Sequence, residues 1–201
     1  MTSFKPRRPV VFLDRDGTLN VEDGYIRQLE RLVLMPGAGQ AVNRLNQANV
    51  AAVLITNQSG AARGYYPESH IRSLNSRLVD LLKREGAYLD AVYYCPHLAD
   101  GIVAEYTAVC KCRKPEIGLV EQAFADDQSL DRSFAYVVGD KSTDVELAQN
   151  IGGKGVLVRS GYGEKVIAGT YQWPVKPHYV ANEITEAIDW ILSDLKIKST
   201  V

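Results

Sequence analysis

Residues 10–20 read Val-Val-Phe-Leu-Asp-Arg-Asp-Gly-Thr-Leu-Asn, a short apolar run that ends in two carboxylates and a glycine. The β-branched and aromatic content of Val10–Leu13 predicts a buried strand. Buried strands of this kind belong to parallel sheets, whose carboxyl ends form the ligand-binding edge of open α/β folds. Asp14 and Asp16 are therefore expected at the mouth of a crevice, where Gly17 lets the chain turn away. Because two such close carboxylates repel each other unless they share a cation or a proton, the pair predicts a metal site, an acid/base site, or both.

Length and composition are typical of one soluble globular domain. The chain has 201 residues, of which 46% are hydrophobic and 23% charged, and we expect a single domain over residues 1–201. The net charge of −1 disfavours nucleic acid and anionic membranes as partners. The apolar run at 10–13 is too short for a secretory signal, and no stretch has the roughly 18 apolar residues that span a bilayer. We expect a cytoplasmic protein, and a monomer because no feature of the sequence encodes association.

Strand and helix patterns alternate along the rest of the chain. Further strands are predicted at Val50–Ile55, Ala91–Tyr94, Ala135–Val138, Gly155–Val158 and, as a short one, His178–Ala181. Helices are predicted at Gly37–Asn49, Glu68–Arg84, Glu116–Ala125, Ser142–Asn150 and Glu183–Leu195. This alternation predicts an α/β fold with a doubly wound, mostly parallel sheet covered by helices on both faces. Gly161–Lys176 is expected to be irregular surface chain, and the intervals after Asn20 and Gly60 are too short for a folded cap.

Three more segments place polar residues next to predicted elements. Thr56–Gly60 follows the second strand with hydroxyl and amide groups, which suit phosphate oxygens or an ordinary polar turn. Arg113 and Lys114 precede a helix, where they suit a bound anion or a solvated surface. Asp140 follows the fourth strand as a candidate cation ligand, and Asp144 opens the next helix, where a helix cap is the alternative. Each segment alone permits a structural role, but their order along the chain indicates one shared site.

The three cysteines fall in a short window together with one histidine. Three thiolates and an imidazole complete a tetrahedral zinc site, whereas the alternative is three reduced cysteines and a surface histidine. A site with four protein ligands has no open coordination position, so its zinc would be structural, ordering the loop 95–112 and holding Arg113 at the crevice. The four candidate ligands are Cys95, His97, Cys110 and Cys112.

The order of these segments resembles the haloacid dehalogenase (HAD) superfamily of phosphatases. The resemblance implies a HAD-like, capless fold in which Asp14 is the nucleophile that forms an aspartyl-phosphate. It makes Asp16 the general acid and base, because an alcohol leaving group needs a proton. Catalytic Mg²⁺ would be held by Asp14, Asp140 and the main-chain carbonyl of Asp16. The residue between the two carboxylates, Arg15, receives no role.

The same resemblance gives roles to residues farther along the chain. Thr56 and Lys114 would stabilise the phosphoryl oxygens, and Asp144 would orient Lys114 or Lys141. The zinc cluster and Thr56–Gly64, read as Thr-Asn-Gln-Ser-Gly-Ala-Ala-Arg-Gly, resemble the D-glycero-D-manno-heptose 1,7-bisphosphate 7-phosphatase family. This resemblance implies substrate contacts from Glu22, Asp23, Gly24, Tyr25, Asn57, Gln58, Ser59, Arg113 and Lys141, although Glu22 stands where the family more usually has Asp.

The implied activity is removal of the 7-phosphate, which leaves heptose 1-phosphate for nucleotide-heptose and surface lipopolysaccharide synthesis. Mg²⁺ would be the catalytic cofactor, Zn²⁺ the structural one, and a small phosphosugar the partner. Histidinol-phosphate phosphatase of histidine synthesis is the alternative, but such enzymes usually carry Asp where Ser59 stands. A 3′-phosphatase for nucleic-acid ends is disfavoured by the near-neutral charge. A non-catalytic binding module is disfavoured because both Asp14 and Asp16 are present. The anomer that is preferred and the contribution of Arg63 stay open.

Overall fold

Six strands form one sheet in the computed structural model, which describes residues 7–196. The strands are β1 (Arg8–Leu13), β2 (Ala51–Asn57), β3 (Ala91–Cys95), β4 (Leu130–Gly139), β5 (Lys154–Val158) and β6 (Tyr179–Ala181). They lie in the order β3-β2-β1-β4-β5-β6, and every neighbouring pair is parallel. The predicted parallel sheet is therefore confirmed. Residues 1–6 and 197–201 of the expected domain lie outside the described residues.

Helices connect the strands, as the alternating pattern predicts. They are α1 (Ala38–Gln47), α2 (Glu68–Arg84), α3 (Gly118–Asp126), α4 (Ser142–Asn150), α5 (Gly163–Ile167) and α6 (Ile184–Asp194). The prediction of an irregular chain over Gly161–Lys176 was wrong in part, because α5 lies within it. The buried side chain of Val166 packs with Val145 and Leu157 and so stabilises this short helix. Within residues 7–196, no helix is both long and apolar enough to cross a bilayer.

The apolar run of β1 faces a hydrophobic cluster on each side of the sheet. Val11 and Leu13 pack into the cluster that α1, α2 and α6 complete. Val10 and Phe12 pack into the opposite cluster, together with residues of α3 and α4. A central strand with helices on both faces has no solvent-facing side chains, which explains why its sequence is apolar without alternation.

The order of the strands fixes where a ligand can bind. The chain builds the sheet outward from β1 to β3 on one side and then from β4 to β6 on the other, so the direction reverses between β1 and β4. Ligands of open α/β sheets bind outside the carboxyl ends of the strands at such a reversal. The main-chain N–H of Asp14 donates to Val138 O (2.9 Å), which places the residue after β1 beside the end of β4. The described chain after β1 and β2 consists of turns and one 3₁₀ helix (Leu29–Arg31), without a folded cap.

Candidate active site

A cleft of about 570 Å³ opens at the carboxyl ends of the central strands. Its volume suits a small-molecule ligand. Lining side chains come from the ends of β1 and β2, from the loop 95–112 and the residues just after it, and from the chain after β4 and β5. Among the predicted site residues, those that line it are Asp14, Asp16, Glu22, Gly24, Tyr25, Thr56, Asn57, Gln58, Ser59, Cys110, Arg113, Lys114 and Lys141.

Lys114 joins two buried carboxylates at the base of the cleft. Its ammonium lies 2.9 Å from Asp14 Oδ1 and 2.6 Å from Asp144 Oδ1, and it donates to Ile55 O at 3.0 Å. Burial acts against the charge, but Asp14 and Asp144 outweigh it and raise the pKa of Lys114 above its usual value. Burial acts to raise the pKa of Asp14 as well, yet Lys114 and Lys141 hold it below its usual value. Asp14 is therefore an ionised carboxylate.

The carboxylate of Asp140 is completely buried between two loops. Its Oδ2 accepts a hydrogen bond from the main-chain N–H of Tyr162 at 2.8 Å. Gly17 and Gly161 flank the same oxygen with left-handed backbone, at φ values of 81° and 58°. A Cβ atom at either glycine would overlap Asp140 Oδ2, so only glycine fits at both positions.

Four oxygens converge on the ammonium of Lys141. It lies 2.9 Å from Asp140 Oδ1, 3.3 Å from the main-chain carbonyl of Asp16, 3.4 Å from Glu22 Oε2 and 3.7 Å from Asp14 Oδ2. All but the Glu22 oxygen belong to groups that the resemblance assigns to Mg²⁺, and the lysine shows that these groups can surround one positive charge. Carboxylate and carbonyl oxygens are the ligands that Mg²⁺ prefers in proteins. The residues therefore fit a divalent cation.

The charges at this edge of the sheet also favour a cation. Asp14, Asp140 and Asp144 can offer oxygens within 4.8 Å of one another, and the ammonium groups that pair with them belong to the buried Lys114 and the half-buried Lys141. Burial raises the pKa of Asp140 to about 7 even though Lys141 opposes that shift. The two oxygens of Asp144 already accept from Lys114 Nζ and from the Lys141 N–H, so Asp144 orients the lysine segments.

Asp16 is not part of the cluster of Asp14, Asp140 and Asp144, and its carboxylate has hydrogen-bond partners of its own. Its Oδ2 accepts from Gln58 Nε2 at 2.7 Å, and its Oδ1 accepts from Asn20 Nδ2 at 3.0 Å. Gln58 Nε2 also lies 2.9 Å from Thr56 Oγ1, so it joins the ends of β1 and β2. Arg15, which received no role, contacts the same carboxylate and is buried. An arginine between two aspartates is ordinarily exposed to solvent, so the sequence alone does not indicate that Arg15 is buried.

The loop after β1 brings most, but not all, of its predicted contacts to the cleft. Glu22, Gly24 and Tyr25 line it. Asp23 instead forms an ion pair with Arg31 at 2.8 Å and is not among the described lining residues. The partner of this carboxylate is thus a cation of the following 3₁₀ helix.

The segment after β2 has both lining and supporting side chains. The amide of Asn57 exchanges two hydrogen bonds with the main chain of Lys114, each 3.0 Å long, so this side chain positions Lys114. Ser59 lies at the cleft, where its Oγ is 3.3 Å from Tyr25 Oη. The guanidinium of Arg63 lies 6.0 Å from the centre of the Tyr25 ring and outside the described lining of the cleft.

The four predicted zinc ligands come together in one cluster. Cys112 Sγ lies 3.0 Å from Cys95 Sγ and 3.3 Å from Cys110 Sγ, and His97 Nδ1 lies 3.3 Å from Cys112 Sγ. Tetrahedral sulfur ligands about 2.3 Å from zinc would lie about 3.8 Å apart, so these sulfur atoms lie closer together than in a zinc-bound set. Burial raises the pKa of Cys95 well above its usual range, a cost that a bound cation would offset. Arg113 Nη1 donates to His97 O at 3.1 Å, which connects the cluster to the cleft.

The chain after β5 forms a wall of the cleft that the sequence patterns did not predict. Tyr162, Tyr171, Gln172 and Trp173 all line the cleft. The rings of Tyr162 and Tyr171 are stacked with centroids 4.3 Å apart. Gln172 Oε1 accepts from the main-chain N–H of Ser142, which attaches this wall to the start of α4. The glycine, proline and aromatic residues of this segment have no periodicity, so the sequence does not predict that the segment lines the cleft. Its contacts with Asp140 and Ser142 place it there.

Comparison with known proteins identifies relatives over almost the whole chain. A family model described as HAD-hydrolase-like matches residues 111–187. A D-glycero-D-manno-heptose-1,7-bisphosphate 7-phosphatase from Thermosynechococcus vestitus is 48% identical over 192 residues, covering 94% of this chain and 97% of the relative. The D-glycero-beta-D-manno-heptose-1,7-bisphosphate 7-phosphatase of Escherichia coli K12 is 38% identical over 93% of this chain and 90% of its own.

A solved structure is similar as well. The D,D-heptose 1,7-bisphosphate phosphatase from B. bronchiseptica, crystallised with magnesium and phosphate, superposes with a TM-score of 0.80 at 29% identity, covering 92% of this chain and 99% of its own. Sequence identity near one half over the full length of a relative, together with this shared fold, shows that the chain belongs to the D-glycero-D-manno-heptose 1,7-bisphosphate 7-phosphatase family of HAD-like hydrolases.

Proposed function

We propose that this protein is a Mg²⁺-dependent phosphatase that removes the 7-phosphate of D-glycero-D-manno-heptose 1,7-bisphosphate. The products are heptose 1-phosphate and inorganic phosphate. The observation that carries the proposal is the ionised, buried Asp14, held by Lys114 at the edge where three oxygens face a single cation position. The names of the relatives at 38–48% identity support the choice of substrate.

The first half of the reaction transfers the phosphoryl group to the protein. A carboxylate oxygen of Asp14 forms a bond to phosphorus while the bond between phosphorus and the sugar oxygen breaks. The protonated carboxyl of Asp16 gives its proton to that leaving oxygen, so the sugar departs as an alcohol. Lys114 and Thr56 stabilise the charge on the other phosphoryl oxygens.

The second half returns the protein to its starting state. Asp16, now a carboxylate, accepts a proton from a water molecule whose oxygen attacks the phosphorus of the aspartyl-phosphate. The bond between phosphorus and Asp14 breaks, phosphate leaves, and Asp16 is again protonated. Mg²⁺ on Asp14, Asp140 and the Asp16 carbonyl would neutralise the phosphoryl oxygens, so that the repulsion between anions no longer opposes attack.

Recognition of the remote 1-phosphate is assigned to the mouth of the cleft. Arg113 lies there with its guanidinium anchored on the zinc loop, and a planar cation suits a phosphate dianion. Ser59, which also lines the cleft, adds no negative charge that would repel a substrate with two phosphates. We propose Zn²⁺ as the metal of the cysteine and histidine cluster, and a cytoplasmic monomer with a net charge of −1 as the acting species.

Substrate preference tests the proposal directly. With Mg²⁺ present, kcat/KM for one anomer of the heptose bisphosphate should exceed that for histidinol phosphate by about 10²-fold or more, because the latter leaves Arg113 unpaired. Steady-state phosphate release from both anomers and from histidinol phosphate measures this ratio. A preference for histidinol phosphate would contradict the substrate assignment and leave the phosphatase chemistry standing.

Asp14→Asn should lower turnover by at least about 10³-fold, since an amide does not attack phosphorus. Acid-quenched mixtures with labelled substrate should contain labelled protein for the unmodified chain and none for the variant. Asp189→Asn, which changes an exposed carboxylate on α6, is the matched control and should keep full activity. Substantial turnover by a folded Asp14→Asn protein would sink the nucleophile assignment.

Gly161→Ala should raise the Mg²⁺ concentration for half-maximal activity by about 10-fold, because the new methyl group displaces Asp140. Gly169→Ala is the control, since Gly169 has the same left-handed backbone (φ 69°) with no heavy atom within 4 Å of the added carbon. Mg²⁺ titrations of the two variants compare them. If both variants raised the Mg²⁺ requirement equally, backbone strain and not displacement of Asp140 would explain the effect of Gly161→Ala.

Cys110→Ala should remove the bound metal and lower the melting temperature by roughly 5 °C or more, since a structural metal contributes folding free energy. The metal content measured by plasma mass spectrometry should fall from one zinc per chain to near zero. Val109→Ala changes a neighbouring side chain that is 91% exposed and should alter neither value. Retention of zinc by Cys110→Ala would exclude this cysteine as a ligand.

A further inference from the structure

Arg15 stands between Asp14 and Asp16 in the sequence, and its positively charged side chain is buried. Its side chain is 1% exposed and is among the largest of the fully buried side chains. An ionised group away from water is costly unless its hydrogen-bond donors are matched. The partners of this guanidinium therefore determine what its charge contributes.

Most donors of Arg15 meet the neighbouring carboxylate. Nε and Nη2 each lie 3.2 Å from Asp16 Oδ1, and Nη2 lies 3.0 Å from Asp16 Oδ2. Nη2 also donates to Gln58 Oε1 at 2.8 Å, and Nη1 donates to Asn75 Oδ1 at 3.0 Å. Residues after β2 and on α2 thus hold the guanidinium in a fixed plane against Asp16.

The Asp16 carboxylate is held by several donors at once. Gln58 and Asn20 donate to one oxygen each, and Arg15 contacts both. The side chain of Asp16 keeps 13% exposure and lines the cleft, so the held group still borders the substrate space. Rotation of this carboxylate would break hydrogen bonds to all three partners.

A purely structural role does not account for the charge. A buried ion pair can often be replaced by apolar side chains of similar volume without loss of stability. An apolar side chain could not hold both oxygens of the Asp16 carboxylate in one plane. The planar guanidinium of Arg15 can, because it donates to both oxygens.

We propose that Arg15 is a positioning residue, which fixes the orientation of the Asp16 carboxyl for proton transfer to the leaving oxygen and from the attacking water. The inference depends on the proposed acid and base role of Asp16. Proton transfer requires the carboxyl within hydrogen-bond distance of the reacting oxygen, and a misplacement of about 1 Å can cost 10²-fold. Lysine would keep the charge but could not span both oxygens together with Gln58 and Asn75.

The first test uses two leaving groups. Arg15→Lys should lower kcat for heptose bisphosphate by about 10²-fold with KM changed less than about 3-fold, since orientation acts on the chemical step. The first-turnover burst of nitrophenolate from 4-nitrophenyl phosphate should stay within about 3-fold of the unmodified protein, because that leaving group needs no proton. Equal losses for both substrates would overturn the proposal. Arg132→Lys, an exposed arginine paired with Glu121, is the control.

The second test asks whether Arg15 acts through Asp16. In a double-mutant cycle, Arg15→Lys should add less than about 2-fold to the loss caused by Asp16→Asn on the sugar substrate. Losses that multiply would overturn the proposed coupling and leave the role of Asp16 standing. If Asp16→Asn alone loses nothing, both the acid and base role and the positioning role fail.

A milder variant covers the case in which substitution of Arg15 prevents folding. Asn75→Ala removes one acceptor behind the guanidinium, and kcat for the sugar substrate should fall by about 5-fold, as the loss of one hydrogen bond implies. The nitrophenolate burst should again be unchanged. An unchanged kcat for the sugar in folded Asn75→Ala would overturn the view that this network holds Asp16.

Discussion

The contacts of the Lys114 ammonium stabilise the edge of the sheet at which the candidate active site lies. It lies within hydrogen-bond distance of Asp14 after β1, Asp144 on α4 and the carbonyl of Ile55 on β2. The carboxylates are buried, so the loss of this cation would leave negative charges together in a region of low polarity. The order of the strands brings these elements together, and the positive charge of Lys114 offsets the repulsion between the carboxylates of Asp14 and Asp144.

The position of this lysine is in turn set by the segments around it. Asn57 binds its main chain through two hydrogen bonds, and Arg113 next to it is anchored on the carbonyl of His97. The cysteine and histidine cluster therefore supports one side of the cleft, where Cys110 is a lining residue, although none of its side chains takes part in the proposed chemistry. The cysteine and histidine cluster and the carboxylate cluster are separate groups, and Arg113 and Lys114, which directly follow Cys112, connect them.

Much of this arrangement could be predicted from short sequence patterns. Val10–Leu13 is apolar because helices cover both faces of β1, and polar residues directly after such strands had to meet at one edge. The burial of Arg15 could not be predicted, because the environment of a charged side chain depends on partners such as Asn75, distant in sequence. The ion pair of Asp23 with Arg31 could not be predicted for the same reason, and the contact of Asp23 with substrate stays a prediction.

The wall formed by Tyr162–Trp173 has a consequence for how the protein is made. Its contacts reach back to Asp140 and Ser142, while the proposed nucleophile, Asp14, lies much earlier in the chain. Synthesis proceeds from the amino terminus, so Asp14 emerges from the ribosome long before the residues that hold Asp140 and complete the cleft. A chain interrupted before residue 162 would contain Asp14, Lys114 and Lys141 without the donor to Asp140. Nascent and prematurely terminated chains would therefore lack a finished site for phosphate esters.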